Sequence, residues 1–205
     1  MTFLETIKIE NGEFANLELH QKRMSITQLA FFKNYNGIDL SSELNSFLKT
    51  LNKQIEINDN NTYKCRITYS NKIQHIEILP YSITKIESLK IIECNEISYD
   101  FKFEDRDIIN QLFSRKDQAD DILIVKNGLI TDTSYCNIVF FNGSKWLSPE
   151  RPLLKGVQRQ YLLNKEIIET AKIRTADLHH FQKARLINAL IPFDYALDIN
   201  MQNIS

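Results

Sequence analysis

Short runs of alternating apolar and polar residues, separated by Asn-Gly pairs, recur along the chain. Four of the five glycines follow an asparagine, at Gly12, Gly37, Gly128 and Gly143. Asn-Gly supplies the positive φ angles of tight turns, so a pair between two apolar runs predicts an antiparallel hairpin. The hairpins predicted in this way join residues 3–9 to 13–17, 121–126 to 129–131, and 137–141 to 145–147.

Apolar residues at helical spacing predict four helices, over residues 19–32, 42–51, 105–115 and 156–171. Ser41 or Ser42 is the predicted N-cap of the second helix. Alternation predicts a further strand pair over residues 63–69 and 73–79, and a short helix from Asp177 leads to a strand over 185–191. The pattern predicts an α+β (mixed α/β) fold, with a small α+β domain at residues 1–85 and a larger domain at 86–205.

Composition and charge exclude several classes of protein. Lysine and arginine number 25 and aspartate and glutamate 26, so no basic excess favours nucleic acid. The chain contains no apolar run of the ~18 residues that a membrane helix needs, and no signal-peptide pattern opens it. The protein is therefore expected in the cytoplasm. Three dispersed cysteines argue against a disulfide framework, and the adjacent His179 and His180 have no third metal ligand at a suitable spacing, so no metal is expected.

Four segments carry residues that suit pyridoxal phosphate. A lysine amine among apolar residues, Lys102, could bind the cofactor as an imine. A carboxylate, Asp132, could keep the pyridine nitrogen protonated. Arg23 and the backbone N–H groups of Val157 and Gln158, where a helix begins after Gly156, could bind the phosphate. The spacing of these residues also allows ordinary structural roles, since a lysine beside two phenylalanines is commonly a surface residue whose stem covers apolar surface.

The order of these segments resembles the class IV, or D-amino-acid-aminotransferase-like, pyridoxal phosphate enzymes. The resemblance extends over residues 3–192, and its most specific parts are Thr131-Asp132 followed by Ser134 and Asn137, and residues 155–159. The family includes branched-chain transaminases, D-amino acid transaminases and 4-amino-4-deoxychorismate lyase. The resemblance implies their two-lobed fold, the pyridoxal 5'-phosphate cofactor and a homodimer.

The resemblance also implies a role for individual residues. Lys102 would be the imine-forming lysine and the general acid/base, since the family places it before an arginine like Arg106. Arg23 would bind the cofactor phosphate, and Asp132 would face the pyridine nitrogen. Val157 and Gln158 would contribute backbone contacts to the phosphate. Asn188 would lie in the strand-end loop that lines the phosphate and substrate side.

The sequence departs from the family pattern in three places. Asp132 stands where the family usually has a glutamate. The first strand lacks the usual preceding strands and Gly-Asp-Gly segment, so the fold is expected to be N-terminally shortened. Tyr69 stands near the position where D-amino acid transaminases use an arginine. Arg66 could bind a substrate carboxylate instead, although its sequence context favours a structural or surface charge.

Residues 187–192 resemble the lyase more than the transaminases, which usually carry small residues ending in glutamate there. The leading hypothesis is therefore a lyase of folate biosynthesis that converts 4-amino-4-deoxychorismate, a small amino substrate, into 4-aminobenzoate and pyruvate. The alternatives are an aminotransferase for branched-chain or D-amino acids and a non-catalytic protein of the same fold.

Overall fold

The computed structural model describes residues 1–33, 37–51 and 61–205. The chain divides into two compact units, Met1–Ile83 with Phe101–Asp105, and Thr84–Asp100 with Arg106–Ser205. Within the described ranges, no helix is both long enough and apolar enough to cross a membrane.

In its described residues, the first unit is a four-stranded antiparallel sheet with two helices. Its strands are ordered β2-β1-β3-β4. Its elements are β1 (Phe3–Glu10), β2 (Glu13–Phe14), α1 (Leu17–Phe31), α2 (Leu40–Leu51), β3 (Tyr63–Tyr69) and β4 (Ile73–Pro80). Ile7 of β1 and Ile67 of β3 share one buried core with Met24 of α1 and Leu44 of α2. The helices therefore cover an apolar face of the sheet, as amphipathic elements require.

Residues 101–105 add to this sheet although they are distant from it in sequence. The backbone N–H of Leu4 donates to the Lys102 carbonyl oxygen at 2.9 Å, and that of Glu104 donates to Thr2 at 2.9 Å. The phenylalanine on each side of Lys102 packs its ring against Phe31. The boundary predicted at residue 85 assigns Lys102 to the second domain; these contacts place it in the first unit instead.

The second unit is an eight-stranded mixed sheet with two helices. Six strands run in the order β10-β9-β8-β7-β6-β5, and β11 pairs with both β8 and β12. Its elements are β5 (Leu89–Glu93), α3 (Asp107–Phe113), β6 (Asp121–Lys126), β7 (Leu129–Thr133), β8 (Asn137–Phe141), β9 (Trp146–Pro149), α4 (Val157–Asn164), β10 (Ile168–Ala171), β11 (Lys183–Ile187) and β12 (Asp198–Asn200). Buried residues of β6, β7, β8 and β11 form its main core.

The predicted hairpins are present. β1 pairs with β2, β6 with β7 and β8 with β9, all antiparallel, and the glycines at 12, 128 and 143 have positive φ. The first hairpin is shorter than predicted because α1 already begins at Leu17. The turn predicted at Asn36-Gly37 includes Asn36, which lies outside the described residues.

Two helix predictions need correction. The helix predicted over 156–171 ends at Asn164, because Glu166 adopts a left-handed φ of 56° and the chain continues as β10. Helix α2 is capped by neither predicted serine: the Asp39 carboxylate accepts a hydrogen bond from the Ser42 N–H at 3.1 Å, and this short side chain suits the N-cap.

Candidate active site

The Asp132 carboxylate is buried on β7 and fixed by two neutral donors. Its Oδ1 accepts a hydrogen bond from Asn137 Nδ2 at 2.7 Å, and its Oδ2 accepts one from the Leu154 N–H at 2.8 Å. Asp132 and Asn137 are directly opposite in the antiparallel pair of β7 and β8, so the hairpin itself brings the two side chains together. Burial raises the pKa of Asp132 from 3.8 to about 6, although these bonds oppose the shift.

Asn137 connects Asp132 to the start of α4. Its Nδ2 also donates to the Leu154 carbonyl oxygen at 2.8 Å. A Cβ added to Gly156 would lie only 2.1 Å from the Asn137 Oδ1. Only glycine leaves room for this approach. The Gly156 φ of −66° is open to any residue, so space rather than backbone conformation requires glycine here.

The N-terminus of α4 is arranged to accept an anion. No side chain caps it, no acidic residue lies in its first turn, and Val157 and Gln158 at its start are buried. The first N–H groups of a helix lack intrahelical partners, and the helix dipole adds partial positive charge there. Arg159 does not compete for this position, since its guanidinium donates to Ser148 Oγ at 2.8 Å and to the Pro149 carbonyl at 2.9 Å.

Asn188, predicted to line the cofactor side, organises the turn that follows β11. Its Oδ1 accepts hydrogen bonds from the N–H groups of Leu190 at 2.8 Å and Ile191 at 3.1 Å. Its Nδ2 contacts Cys136 Sγ at 3.1 Å, in the connection between β7 and β8. The side chain therefore holds this turn close to the connection that follows Asp132.

In the first unit, Arg23 of α1 binds a buried carboxylate on β1. Its Nε donates to Glu5 Oε1 at 2.9 Å and its Nη2 to Glu5 Oε2 at 2.5 Å, while His20 Nδ1 lies 2.6 Å from the same Oε2. Burial of Glu5 would raise its pKa, but the charge of Arg23 and the bonds from His20 and Arg23 lower it to about 2. Burial also lowers the pKa of His20, so its ring is neutral.

Lys102 belongs to the same unit as Arg23. Its backbone pairs with β1, its side chain is half-buried, and its charge contributes to the lowered pKa of His20. The Phe103 N–H donates to the Phe101 carbonyl oxygen at 2.9 Å, so the backbone makes a tight turn at Lys102, between the two phenylalanines that pack against Phe31. The aromatic packing of this segment therefore fixes the position from which the lysine side chain extends.

The two residues predicted to contact substrate also lie in the first unit. Arg66 donates to Glu77 at 3.2 Å and to Glu104 at 3.4 Å, which makes it part of a surface ion-pair network. Tyr69 is only 1% exposed and packs against Phe3. Burial raises the pKa of its hydroxyl.

The structure thus groups the predicted residues by unit. Arg23, Lys102, Arg66 and Tyr69 lie in the first unit, and Asp132, Val157, Gln158 and Asn188 lie in the second. The prediction assigned no role to Glu5 or Asn137. Asn137 was visible five residues after Asp132, whereas a single carboxylate in an apolar strand gave no signal for Glu5.

Each unit contains groups that suit pyridoxal phosphate. A buried carboxylate held by neutral donors suits a protonated pyridine nitrogen, which would compensate its charge. The uncapped start of α4 suits a phosphate. A half-buried lysine beside aromatic side chains suits covalent attachment. Among the described residues, no group of three or more His, Cys, Asp or Glu side chains could hold a metal ion.

Comparisons with known proteins point in the same direction. Residues 105–193 match the family described as amino-transferase class IV. An uncharacterised protein of Haemophilus influenzae is 34% identical over 187 residues, which cover 91% of this chain and 96% of the relative. A crystal structure from Haemophilus somnus, provisionally named a 4-amino-4-deoxychorismate lyase, is 31% identical with a TM-score of 0.85, covering 92% of this chain and 96% of the other.

A structure from Mesorhizobium loti, provisionally named an amino-acid aminotransferase, has a TM-score of 0.75 and is 18% identical. The match covers 100% of this chain and 99% of the other. At this identity it establishes likeness of fold alone. The fold of this protein and its sequence likeness thus identify its class as the class IV pyridoxal-phosphate-dependent enzymes. This chain belongs to the class IV aminotransferase family. The predicted mixed α/β fold and the cofactor of that family are confirmed.

The raised pKa of Asp132 predicts how the stability of the apoprotein depends on pH. Between pH 3.8 and about 6 the folded protein binds a proton at Asp132 that the unfolded chain does not, so folding gains stability there as the pH falls. Asp132→Asn lacks this gain. The stability of wild type relative to this variant should therefore increase by about 1 kcal/mol between about pH 7.5 and pH 5. Urea unfolding of both apoproteins at the two pH values measures this change. If the difference in unfolding free energy between wild type and Asp132→Asn did not depend on pH, the raised pKa of Asp132 would be wrong.

Proposed function

We propose that this protein is a pyridoxal-phosphate-dependent lyase that converts 4-amino-4-deoxychorismate into 4-aminobenzoate and pyruvate. The equation balances without a second substrate, since the two products together contain every atom of the substrate. A homodimer, a cytoplasmic location and a place in folate biosynthesis form part of the same proposal and rest on the family resemblance.

The buried carboxylate of Asp132 is the observation that carries the cofactor chemistry. Asn137 and the Leu154 N–H hold both of its oxygens, so the carboxylate cannot rotate freely. When bound, pyridoxal phosphate supplies an electron sink for the charge that develops on the substrate. Asp132 would hold the proton on the pyridine nitrogen, and its burial would keep water from competing for that proton.

Other residues would hold the cofactor and move protons. The N–H groups of Val157 and Gln158 would bind the phosphate at the start of α4. The family resemblance assigns the same ligand to the Arg23 guanidinium. Lys102 Nζ would attach the cofactor covalently. During the reaction the same nitrogen would take a proton from the substrate ring carbon and return a proton to the departing enolpyruvyl group.

Recognition of the substrate is the remaining part of the proposal. Arg66 would have to exchange its bonds to Glu77 and Glu104 for a substrate carboxylate, and both bonds are long enough at 3.2 and 3.4 Å to be exchangeable. Asn188 would shape the loop beside the substrate through its turn. Tyr69 would act through packing, because it is buried.

The choice of the lyase reaction rests on sequence likeness. The Haemophilus somnus protein carries that provisional name and shares 31% of its residues with this chain over nearly the full length of both. Residues 187–192, which resemble the lyase pattern, form the end of β11 and the turn held by Asn188.

A product assay tests the proposal. The purified protein, loaded with pyridoxal phosphate, is expected to release pyruvate and 4-aminobenzoate in equal amounts from 4-amino-4-deoxychorismate without any keto acid. Lactate dehydrogenase coupling measures the pyruvate, and fluorescence measures the 4-aminobenzoate. Amino transfer from an amino acid to 2-oxoglutarate in the absence of lyase turnover would identify an aminotransferase instead. No turnover of either kind would contradict an enzymatic function.

A further inference from the structure

The buried carboxylate of Glu5 has no place in the chemistry described so far. Glu5 lies on β1 and is 0% exposed. Both oxygens of its carboxylate accept hydrogen bonds from side chains on α1. An ion pair at such depth costs desolvation free energy that the attraction only partly offsets, so the pair is weak evidence of a stabilising role.

Glu5 fixes the orientation of the Arg23 guanidinium. Two parallel N–H bonds from Nε and Nη2 to the two carboxylate oxygens form a fork, which determines the plane as well as the position of the group. The Nη1 side of the guanidinium is directed away from this carboxylate. The Arg23 side chain keeps 15% exposure, while the Glu5 side chain has none.

His20 fixes Glu5 in turn. Because His20 is neutral and buried and Glu5 is ionised, the ring donates from Nδ1 to Oε2 at 2.6 Å. His20 and Arg23 are three residues apart on α1, so both side chains lie on one face of the helix and both contact the Glu5 carboxylate. The cluster is therefore rigid before any ligand arrives.

We infer that Glu5 is a positioning residue that orients Arg23 toward the phosphate of pyridoxal phosphate. This inference rests on the proposed function, which gives Arg23 its ligand. If Glu5 acted on the phosphate only through its negative charge, neutralising Glu5 would strengthen phosphate binding. Because Glu5 instead orients Arg23, its neutralisation should weaken phosphate binding. The same orienting role also predicts that lysine cannot replace Arg23, since an ammonium cannot form the fork.

The experiment compares the affinity of the apoprotein for pyridoxal phosphate with its affinity for pyridoxal, which lacks the phosphate. The ratio of the dissociation constant for pyridoxal to that for pyridoxal phosphate isolates the contribution of the phosphate to affinity, and equilibrium dialysis measures both constants without turnover. Glu5→Gln and Arg23→Lys should each reduce the ratio roughly ten- to thirtyfold, as expected for loss of a charged hydrogen bond. Glu5→Gln with Arg23→Lys should be no worse than Arg23→Lys alone, because both act through one contact.

Two further variants keep the test decisive. Glu18→Gln, an exposed residue on the same helix, should leave the ratio unchanged. Glu5→Asp retains the charge but shortens the reach, so it should also reduce the ratio, and it decides the matter if Glu5→Gln does not fold. An unchanged or increased ratio in Glu5→Asp and Glu5→Gln, with a reduced ratio in Arg23→Lys, would overturn the inference. Absence of any phosphate preference in wild type would instead overturn the proposed phosphate site.

Discussion

Lys102→Ala is expected to abolish covalent attachment of pyridoxal phosphate and to reduce turnover by several orders of magnitude. Backbone pairing with β1 holds residues 101–104 in place, and the alanine that replaces Lys102 has no amine to form the covalent link. The cofactor should still bind without a covalent link, because the phosphate contacts at the start of α4 remain. Borohydride reduction followed by intact-mass measurement distinguishes the two modes of binding.

The matched control is Lys72→Ala, an exposed lysine in the β3–β4 turn of the same unit. It should retain the borohydride-trapped mass increment and the absorption band of the bound cofactor. Peptide mapping of the trapped wild-type protein should place the increment on Lys102. An increment that persists in Lys102→Ala would show that another lysine carries the cofactor, and the role assigned to Lys102 would be wrong.

Gly156→Ala is expected to destabilise the protein and to impair cofactor binding together. The new Cβ would lie 2.1 Å from Asn137 Oδ1, so the buried Asn137 must move and lose its bonds to Asp132 and to the Leu154 carbonyl. Overpacking and the loss of buried hydrogen bonds together correspond to about 2–5 kcal/mol. For a protein of this size the melting temperature should fall by roughly 5–15 °C. Differential scanning calorimetry of the apoprotein and titration with pyridoxal phosphate measure the two effects.

Asn137→Ala provides the test of this mechanism. In that background the obstructing amide is absent, so adding Gly156→Ala should cost little further stability. Gly128→Ala is the contrasting control: nothing lies within 4 Å of its Cβ, but its φ of +73° strains any other residue. It should lower stability without weakening cofactor binding. Equal costs of Gly156→Ala in both backgrounds would rule out the steric explanation.

Local sequence determined most of the secondary structure. The hairpins at Gly12 and Gly128 were predictable because Asn-Gly turns depend on the φ angles of two adjacent residues, and both are positive in each turn. At Gly143 only the glycine has a positive φ, and the Asn142 side chain accepts hydrogen bonds from the N–H groups of Ser144 and Lys145. The strand over residues 63–69 was predictable from its alternation. The end of α4 was not, because the apolar spacing continues past Asn164, and nothing in the local pattern indicates the left-handed φ that Glu166 adopts before β10.

For the candidate site, the sequence by itself determined which residue types are present and, through the β7–β8 hairpin, that Asp132 and Asn137 are neighbours. The tertiary structure decided the rest. Glu5 and Arg23 are 18 residues apart, and residues 101–104 reach β1 across nearly a hundred positions, so no local pattern encodes either contact. The close approach of Asn137 to Gly156 likewise follows from how β8 meets the start of α4. Such contacts depend on packing between distant segments, where burial and complementary charge, rather than local propensity, select the partner.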